Sequence, residues 1–192
     1  MAQVAFVIPT KRDKVLTLSS IPTGYQVHVI RQGRNAGEAR NIGIRRARAR
    51  IIILCDDDLA FDEQFLNKVI TSTLEDEITG LEGYYPFERW LITRFMVFHK
   101  SVWQKLGFFE ERRNQGYYGD FGTDTDFCLR AEKMGINIKK LSQDSVYHYE
   151  HDRKISMRQK ISWLLFLWKR HAAKVTVPIV KLGIRRITGI QL

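Results

Sequence analysis

The chain has 192 residues, 44% of them hydrophobic, which supplies enough apolar side chain for one packed domain and excludes a wholly disordered chain. Its net charge is +10, but residues 151–192 hold ten Lys or Arg against Asp152 alone, so the rest of the chain is close to neutral. A near-neutral body over residues 1–150 and a basic tail over 151–192 are therefore expected, and the total charge says little about the body.

Cys55 and Cys128 are too few for a disulfide framework and point to a reducing cytoplasm. Val4–Ile8 has no basic segment before it and stops at Pro9, so it reads as a strand and not as a signal segment. No apolar run approaches the roughly 18 residues of a membrane span.

In chain order, Val4–Ile8 is the first expected strand and Asp13–Ser20 a short helix, followed by a strand at Tyr25–Ile30. A helix is expected from Gly37 to Arg48, with Ala39, Ile42, Gly43 and Ala47 on its inner face. Ile51-Ile52-Ile53-Leu54-Cys55 is the continuous apolar run of a parallel strand covered on both faces. Asp62 to Glu75 reads as a helix with Phe65, Val69 and Ile70 inward, and strands are expected at Ile78–Tyr85 and Phe95–His99. Ser101 is a cap candidate for a short helix ending at Gly107. Thr123 begins another helix, striped by Phe127, Ala131 and Met134 and stopped by Gly135. Asn137–Leu141 and Val146–His148 complete an α/β body whose sheet is mostly parallel at its start.

Ligands of such sheets sit at the carboxyl ends of the strands. Pro9-Thr10-Lys11-Arg12 follows the first strand and Asp56-Asp57-Asp58 the third, so neighbouring strands would bring a basic loop and an acidic triplet into one crevice. Three adjacent carboxylates repel one another, and a hard divalent cation such as Mg2+ or Mn2+, itself holding a diphosphate, would relieve that. The plainer reading is a solvated turn. Arg34-Asn35-Ala36-Gly37 opens the second helix as a candidate anion site, and Arg40 one turn in could grip a phosphate with two bonds. Arg45, Arg46, Arg48 and Arg50 read as a solvated basic face.

Gly122-Thr123-Asp124-Thr125-Asp126 puts two carboxylates in the first turn of a helix, where the dipole favours their ionised forms. Asp124 is a candidate general base toward a hydroxyl, with capping as the alternative; Asp126 reads as a capping-box residue. His148, ending the last strand, is a metal-ligand candidate only if the acidic triplet is close. Tyr84, Tyr85, Trp90, Tyr117 and Tyr118 are candidates for flat apolar faces toward a ligand, with burial in the core as the plainer reading, and Thr123 is a candidate beside them.

Taken in order, Val7-Ile8-Pro9-Thr10, the segment Arg34 to Ile44, the strand with Asp56-Asp57-Asp58, Leu106 to Glu111, Gly122 to Arg130 and Val146-Tyr147-His148 resemble the family 2 glycosyltransferases. The resemblance implies the GT-A fold, a mixed and mostly parallel sheet flanked by helices. It also implies inverting transfer of a sugar from a nucleotide-diphosphate donor to an acceptor hydroxyl. Under it, Asp56 and Asp58 correspond to the Asp-x-Asp element at the donor ribose and the metal, Asp124 to the base, and His148 to a third metal contact. Pro9, Thr10, Arg12, Asn35, Gly37, Arg40, Asp56 and Asp57 then form the donor side, and Asp58 and His148 the site for Mn2+ or Mg2+. Gln159 is followed by Lys160-Ile161-Ser162-Trp163, unlike the Gln-x-x-Arg-Trp of processive synthases, so single transfers are expected.

In the tail, Ile161, Leu164, Leu165, Trp168 and Ala172 form a helical stripe that Trp163, Phe166 and Leu167 widen. Basic amphipathic helices of this kind suit an anionic membrane surface, so residues 155–192 are expected to hold the protein peripherally at the cytoplasmic face, with a lipid-linked acceptor in reach. Packing on the body or on another subunit is the alternative. Two rival functions remain: a sugar-phosphate nucleotidyltransferase using the same phosphate and metal groups, and a nucleic-acid module using the Arg-rich helix and tail. No aromatics are interleaved in the Arg-rich helix for base stacking, which disfavours the second.

Overall fold

The structure is a computed structural model that describes residues 3–83, 90–111, 123–149, 165 and 167–171. Its main sheet has six strands in the order β2 (Gln26–Ile30), β1 (Val4–Pro9), β3 (Ile51–Cys55), β6 (Leu91–His99), β5 (Glu77–Glu82) and β7 (Asn137–Leu141). Three of the pairings are parallel; β6 alone runs against its neighbours β3 and β5. A separate two-stranded ribbon pairs β4 (Leu59–Ala60) with β8 (Tyr147–His148). The expected mixed, mostly parallel sheet flanked by helices is therefore present, with this ribbon added.

Alternation along the strands explains the two layers. Ala5 and Val7 of β1, Ile52 and Leu54 of β3, and Met96 and Phe98 of β6 enter one cluster with α1 (Ala36–Arg46), α3 (Lys100–Leu106) and α4 (Thr123–Lys133). Val4, Phe6 and Ile8, Ile53 and Cys55, and Phe95 and Val97 point the other way, onto Leu66 and Val69 of α2 (Glu63–Ser72). With both faces covered, β3 needs no polar residue, as its sequence indicated. Phe6, Phe95, Phe98, Phe109 and Phe127 are fully buried, each contributing about 1.5–3 kcal/mol of hydrophobic stabilisation.

Helix α1 lies close on β1 because residue 43 has no side chain: a Cβ there would come within 2.3 Å of the Val7 side chain. Several local expectations shift. Only Leu16–Ser20 of the first expected helix is helical, as a 3-10 turn, because its Leu16 and Thr17 amides are drawn to the Asp57 carbonyl. Helix α3 starts one residue before Ser101, with His99 at the cap position, so Ser101 does not cap it. Met134 falls beyond the end of α4 and is exposed. Inner positions of α1 include Ile44, and Ile42 is only partly buried.

The register of β5 on β6 breaks between Gly80, which faces Met96, and Leu81, which faces Ile92. Residues 93–95 of β6 therefore have no register partner on β5, which is a β-bulge. That irregularity lies at the cleft.

Candidate active site

Parallel pairing of β1 with β3 sets their carboxyl ends side by side, and the basic loop and acidic triplet meet there as expected. Thr10 donates its hydroxyl hydrogen to Asp57 in a short bond. Arg12 Nη1 lies 3.5 Å from Asp57 Oδ1 and 3.2 Å from Asp58 Oδ2. The triplet backbone is fixed from below. Thr17 Oγ1 donates to the Asp56 carbonyl at 2.7 Å and accepts the Leu59 amide at 2.8 Å, and the Asp56 amide donates to the Arg94 carbonyl at 2.8 Å.

The β4–β8 ribbon sets Leu59 opposite His148, and this brings the imidazole to the triplet. His148 Nε2 is 3.2 Å from Asp58 Oδ1, and the Tyr149 amide donates to the Asp58 carbonyl at 2.9 Å. The condition under which His148 became a ligand candidate is met. Two ligands at about 2.1 Å on neighbouring octahedral positions lie about 3 Å apart, so this O,N pair fits Mg2+ or Mn2+. Among the described residues no cluster of three or more His, Cys, Asp or Glu gathers to hold a metal unaided. Such ions commonly take one or two protein ligands and complete their shell with substrate phosphates and water.

Asp56 differs from its neighbours. Its side chain keeps 39% of its exposure and lies 4.0 Å from Arg94 Nε. Desolvation by the surrounding protein lifts its carboxyl to about 6, against the attraction of Arg40 and Arg94 and with the repulsion of Asp58 and Asp57.

Arg40, buried on α1, donates from Nη1 to Thr123 Oγ1 at 3.2 Å and lies over the Phe109 ring. Asp124 sits in the first turn of α4, with Oδ1 accepting the Thr125 amide at 2.8 Å. Burial raises the Asp124 carboxyl above its ordinary value, opposed by the charge of Arg40 and by amide donation from Thr125 and Thr93. One buried guanidinium thus favours the ionised forms of Asp56 and Asp124 together, the acid of the strand end and the acid of the helix.

The N-terminus of α1 does not form the open anion site expected of Asn35 and Gly37. Asn35 accepts the Glu38 amide at 2.8 Å and donates from Nδ2 to the Glu111 carbonyl at 2.8 Å. Gly37 is roofed by the Glu110 carbonyl, 2.2 Å from where a Cβ would stand. Glu38 occupies Arg34 through two bonds of 2.7 and 2.9 Å. The chain satisfies this helix end with its own groups, so Asn35 and Gly37 shape the cleft wall.

Trp90 is a second correction. It is only 6% exposed and packs in the core with Leu91 and Phe109, so it offers no face to an acceptor. Thr123 is buried and holds Arg40. Tyr118, like Tyr84, Tyr85 and Tyr117, lies outside the described residues. Pro9 ends β1 as expected.

Several residues carry more than their sequence suggested. Asn41, fully buried, donates to the Phe109 carbonyl at 2.9 Å and to Glu111 at 2.7 Å, and accepts from Trp103 Nε1 and the Phe109 amide. It fixes the 109–111 segment over α1. Arg94 lies just before the strand expected at Phe95–His99 and is not among the expected site residues; Thr17 gives no signal. Asp126, expected as a capping-box residue, also has partners far away in sequence. It is fully buried and engages Arg130, Arg170 and His171.

A sheet with β1, β3 and a reversed β6 around an acidic cleft is the GT-A arrangement. It is shared by the catalytic domain of Drosophila beta1,4galactosyltransferase 7 in complex with xylobiose, at 15% identity and TM-score 0.59 over 84% of this chain and 79% of that one. The mannosyltransferase PcManGT from Pyrobaculum calidifontis, in complex with GDP-Man and Mn2+, is similar at 12% identity and TM-score 0.58 over 93% of this chain and 64% of that one. A mutant of the Drosophila enzyme, in complex with manganese, UDP-Gal and xylobiose, gives 16% identity and TM-score 0.59, with coverage of 84% and 79%. No curated protein sequence gives a significant match. Residues 12–134 match Glycosyl transferase family 2, and the chain belongs to that family.

Proposed function

We propose that this glycosyltransferase is metal-dependent and inverting, moving a sugar from a nucleoside-diphosphate sugar to an acceptor hydroxyl by single transfers. The observation that carries the reading is the 3.2 Å approach of Asp58 and His148, in a triplet whose Asp56 feels the same Arg40 charge as Asp124. Two similar folds named above were solved with Mn2+ and a nucleotide sugar.

In this reading Thr10, Arg12, Asp56 and Asp57 line the donor side. Asp58 and His148 hold Mn2+ or Mg2+, which when bound neutralises charge on the leaving diphosphate. The acceptor oxygen attacks the anomeric carbon from the face opposite the diphosphate; the C–O bond to the diphosphate breaks, and the acceptor proton passes to Asp124. Burial of Asp124 raises its basicity, and the Arg40 charge opposes that rise by favouring the ionised form. Neither rival function has an observation in its favour once the family is established.

The test is turnover with donor binding measured separately. Asp124→Asn should abolish transfer, by about a thousandfold or more, while Mn2+-dependent binding of the sugar nucleotide in a thermal-shift assay persists. Near-normal turnover in that variant would remove Asp124 from the mechanism.

The acceptor is proposed to be lipid-linked, with the tail on the cytoplasmic membrane face. Support comes from the +9 charge of residues 151–192 and from the exposure of Leu165 and Trp168 on the described helical segment. No helix among the described residues is long and apolar enough to cross a membrane. Co-sedimentation with phosphatidylglycerol vesicles but not with phosphatidylcholine vesicles is the expected result; equal binding to both, or to neither, would count against it.

A further inference from the structure

We propose that Arg170 and His171 are positioning residues for Asp124, acting through Asp126, so that helical residues 167–171 belong to the catalytic unit. The proposal rests on the assignment of Asp124 as the base.

The first turn of a helix lacks intrahelical partners for its amides, so tertiary contacts decide where its side chains stand. Asp124 is in that turn, and two residues on, Asp126 is fully buried. A buried carboxylate is tolerated only with charged or hydrogen-bonding partners. Asp126 Oδ2 takes Arg130 Nε at 3.0 Å, while Oδ1 takes Arg170 Nε at 3.0 Å and His171 Nε2 at 2.9 Å. Arg130 is shared: its other nitrogens donate to the carbonyls of Leu106, Gly107 and Phe108. Among the described residues, one oxygen of Asp126 thus depends on the tail alone.

Arg170 also pairs with Glu110 in a short contact, and the Glu110 carbonyl is the roof over Gly37 on α1. A single guanidinium therefore ties the α4 turn carrying Asp124 to the wall of the helix carrying Arg40. The tie is anchored, since Leu167 is fully buried in the main core and His171 is buried beside Asp126. Nδ1 of His171 has no hydrogen-bond partner among the described residues, which leaves Asp126 as the polar contact that orients the ring. Leu165 and Trp168 stay exposed, so the same short helix can face outward while holding the site.

The experiment uses the full chain with Arg170→Met, His171→Leu and His171→Gln, the last keeping an N–H donor. Two readouts are taken: nucleoside-diphosphate release from UDP-galactose and GDP-mannose with Mn2+, and deuterium uptake of peptides covering 123–130. The expected result is a fall in kcat of about tenfold to a hundredfold in the Met and Leu variants with KM for the donor little changed, and substantial recovery in His171→Gln. Uptake over 123–130 should rise in the two impaired variants and not over β1 and β3. Wild-type kcat in the folded variants, or a Gln variant as impaired as the Leu variant, overturns the proposal. Arg170 is partly exposed and its substitution is the milder, so it decides the matter if His171→Leu does not fold. If neither sugar nucleotide turns over, uptake decides: unchanged exchange over 123–130 overturns the proposal and faster exchange confined there upholds it. Asp124→Asn measured alongside separates the base assignment from the clamp, because full turnover in it removes the base and leaves the exchange result standing.

Discussion

Arg40 and Thr123, 83 positions apart in sequence, are joined by a 3.2 Å hydrogen bond that closes the cleft between α1 and α4. The cation in that bond acts on both sides of the cleft, since its charge favours ionised Asp56 and ionised Asp124. Removing it leaves two partly desolvated carboxylates without their main common counter-charge.

Arg40→Met should therefore lower kcat/KM by about a hundredfold, on the scale of a lost preorganised electrostatic contact. The pH profile should change in a defined sense. A base must be deprotonated to act, and Arg40 lowers the Asp124 pKa from the value that burial would give it. Without Arg40 that pKa rises, so the acid limb of the profile moves to higher pH. A limb that stays in place, or moves to lower pH, would contradict this placement of the charge.

Asp58 and His148 should set the requirement for metal. Asp58→Asn or His148→Ala is expected to raise the Mn2+ concentration for half-maximal donor binding by about tenfold to a hundredfold, with little loss of fold stability. Titration of Mn2+ at fixed sugar nucleotide in a thermal-shift assay reads this directly. An unchanged Mn2+ dependence in both variants would remove the pair as the metal site.

Gly37 tests the α1 wall. An alanine Cβ would stand 2.2 Å from the Glu110 carbonyl oxygen, and the atom in the way is backbone. Gly37→Ala should destabilise the fold by about 1–3 kcal/mol, as overpacking does. Urea unfolding of the two proteins checks it, and equal midpoints would show that the 109–111 segment yields freely.

The thiols should be inert. Cys55 and Cys128 are fully buried; burial pushes the Cys128 thiol up to about 12 and raises that of Cys55 well above its ordinary value. Mass spectrometry after maleimide treatment at neutral pH should find both unmodified in the native chain and both modified in denaturant. Rapid native labelling of either would contradict its burial.

Much of the fold was legible because period and punctuation agree in this chain. The unbroken run Ile51–Cys55 announces a strand covered on both faces, and Asp62 with the apolar spacing behind it announces α2, whose Phe65 amide it caps at 2.6 Å. The position of the triplet at a strand end was legible for the same reason. What could not be read is what depends on meetings between distant segments. Trp90 looks the same in sequence whether buried or lining a cleft, and Gly37 looks like an anion site until Glu110 is found above it. Asp126 satisfies a capping-box pattern, so local chemistry gave no hint that Arg170 and His171 arrive from the far end of the chain.

The bulge at residues 93–95 gives the molecule a conflict of interests. In a regular ladder the Thr93 amide would be committed to strand pairing, whereas here it donates toward Asp124. The Asp124 carboxyl is thus fastened to a flaw in the sheet. A change that straightened β6 against β5 would complete the ladder and strengthen the scaffold, yet it would withdraw a donor from Asp124 and turn Arg94 relative to Asp56. Regular pairing would favour stability and the irregular strand favours the Asp124 contact, so the two demands pull this strand in opposite directions.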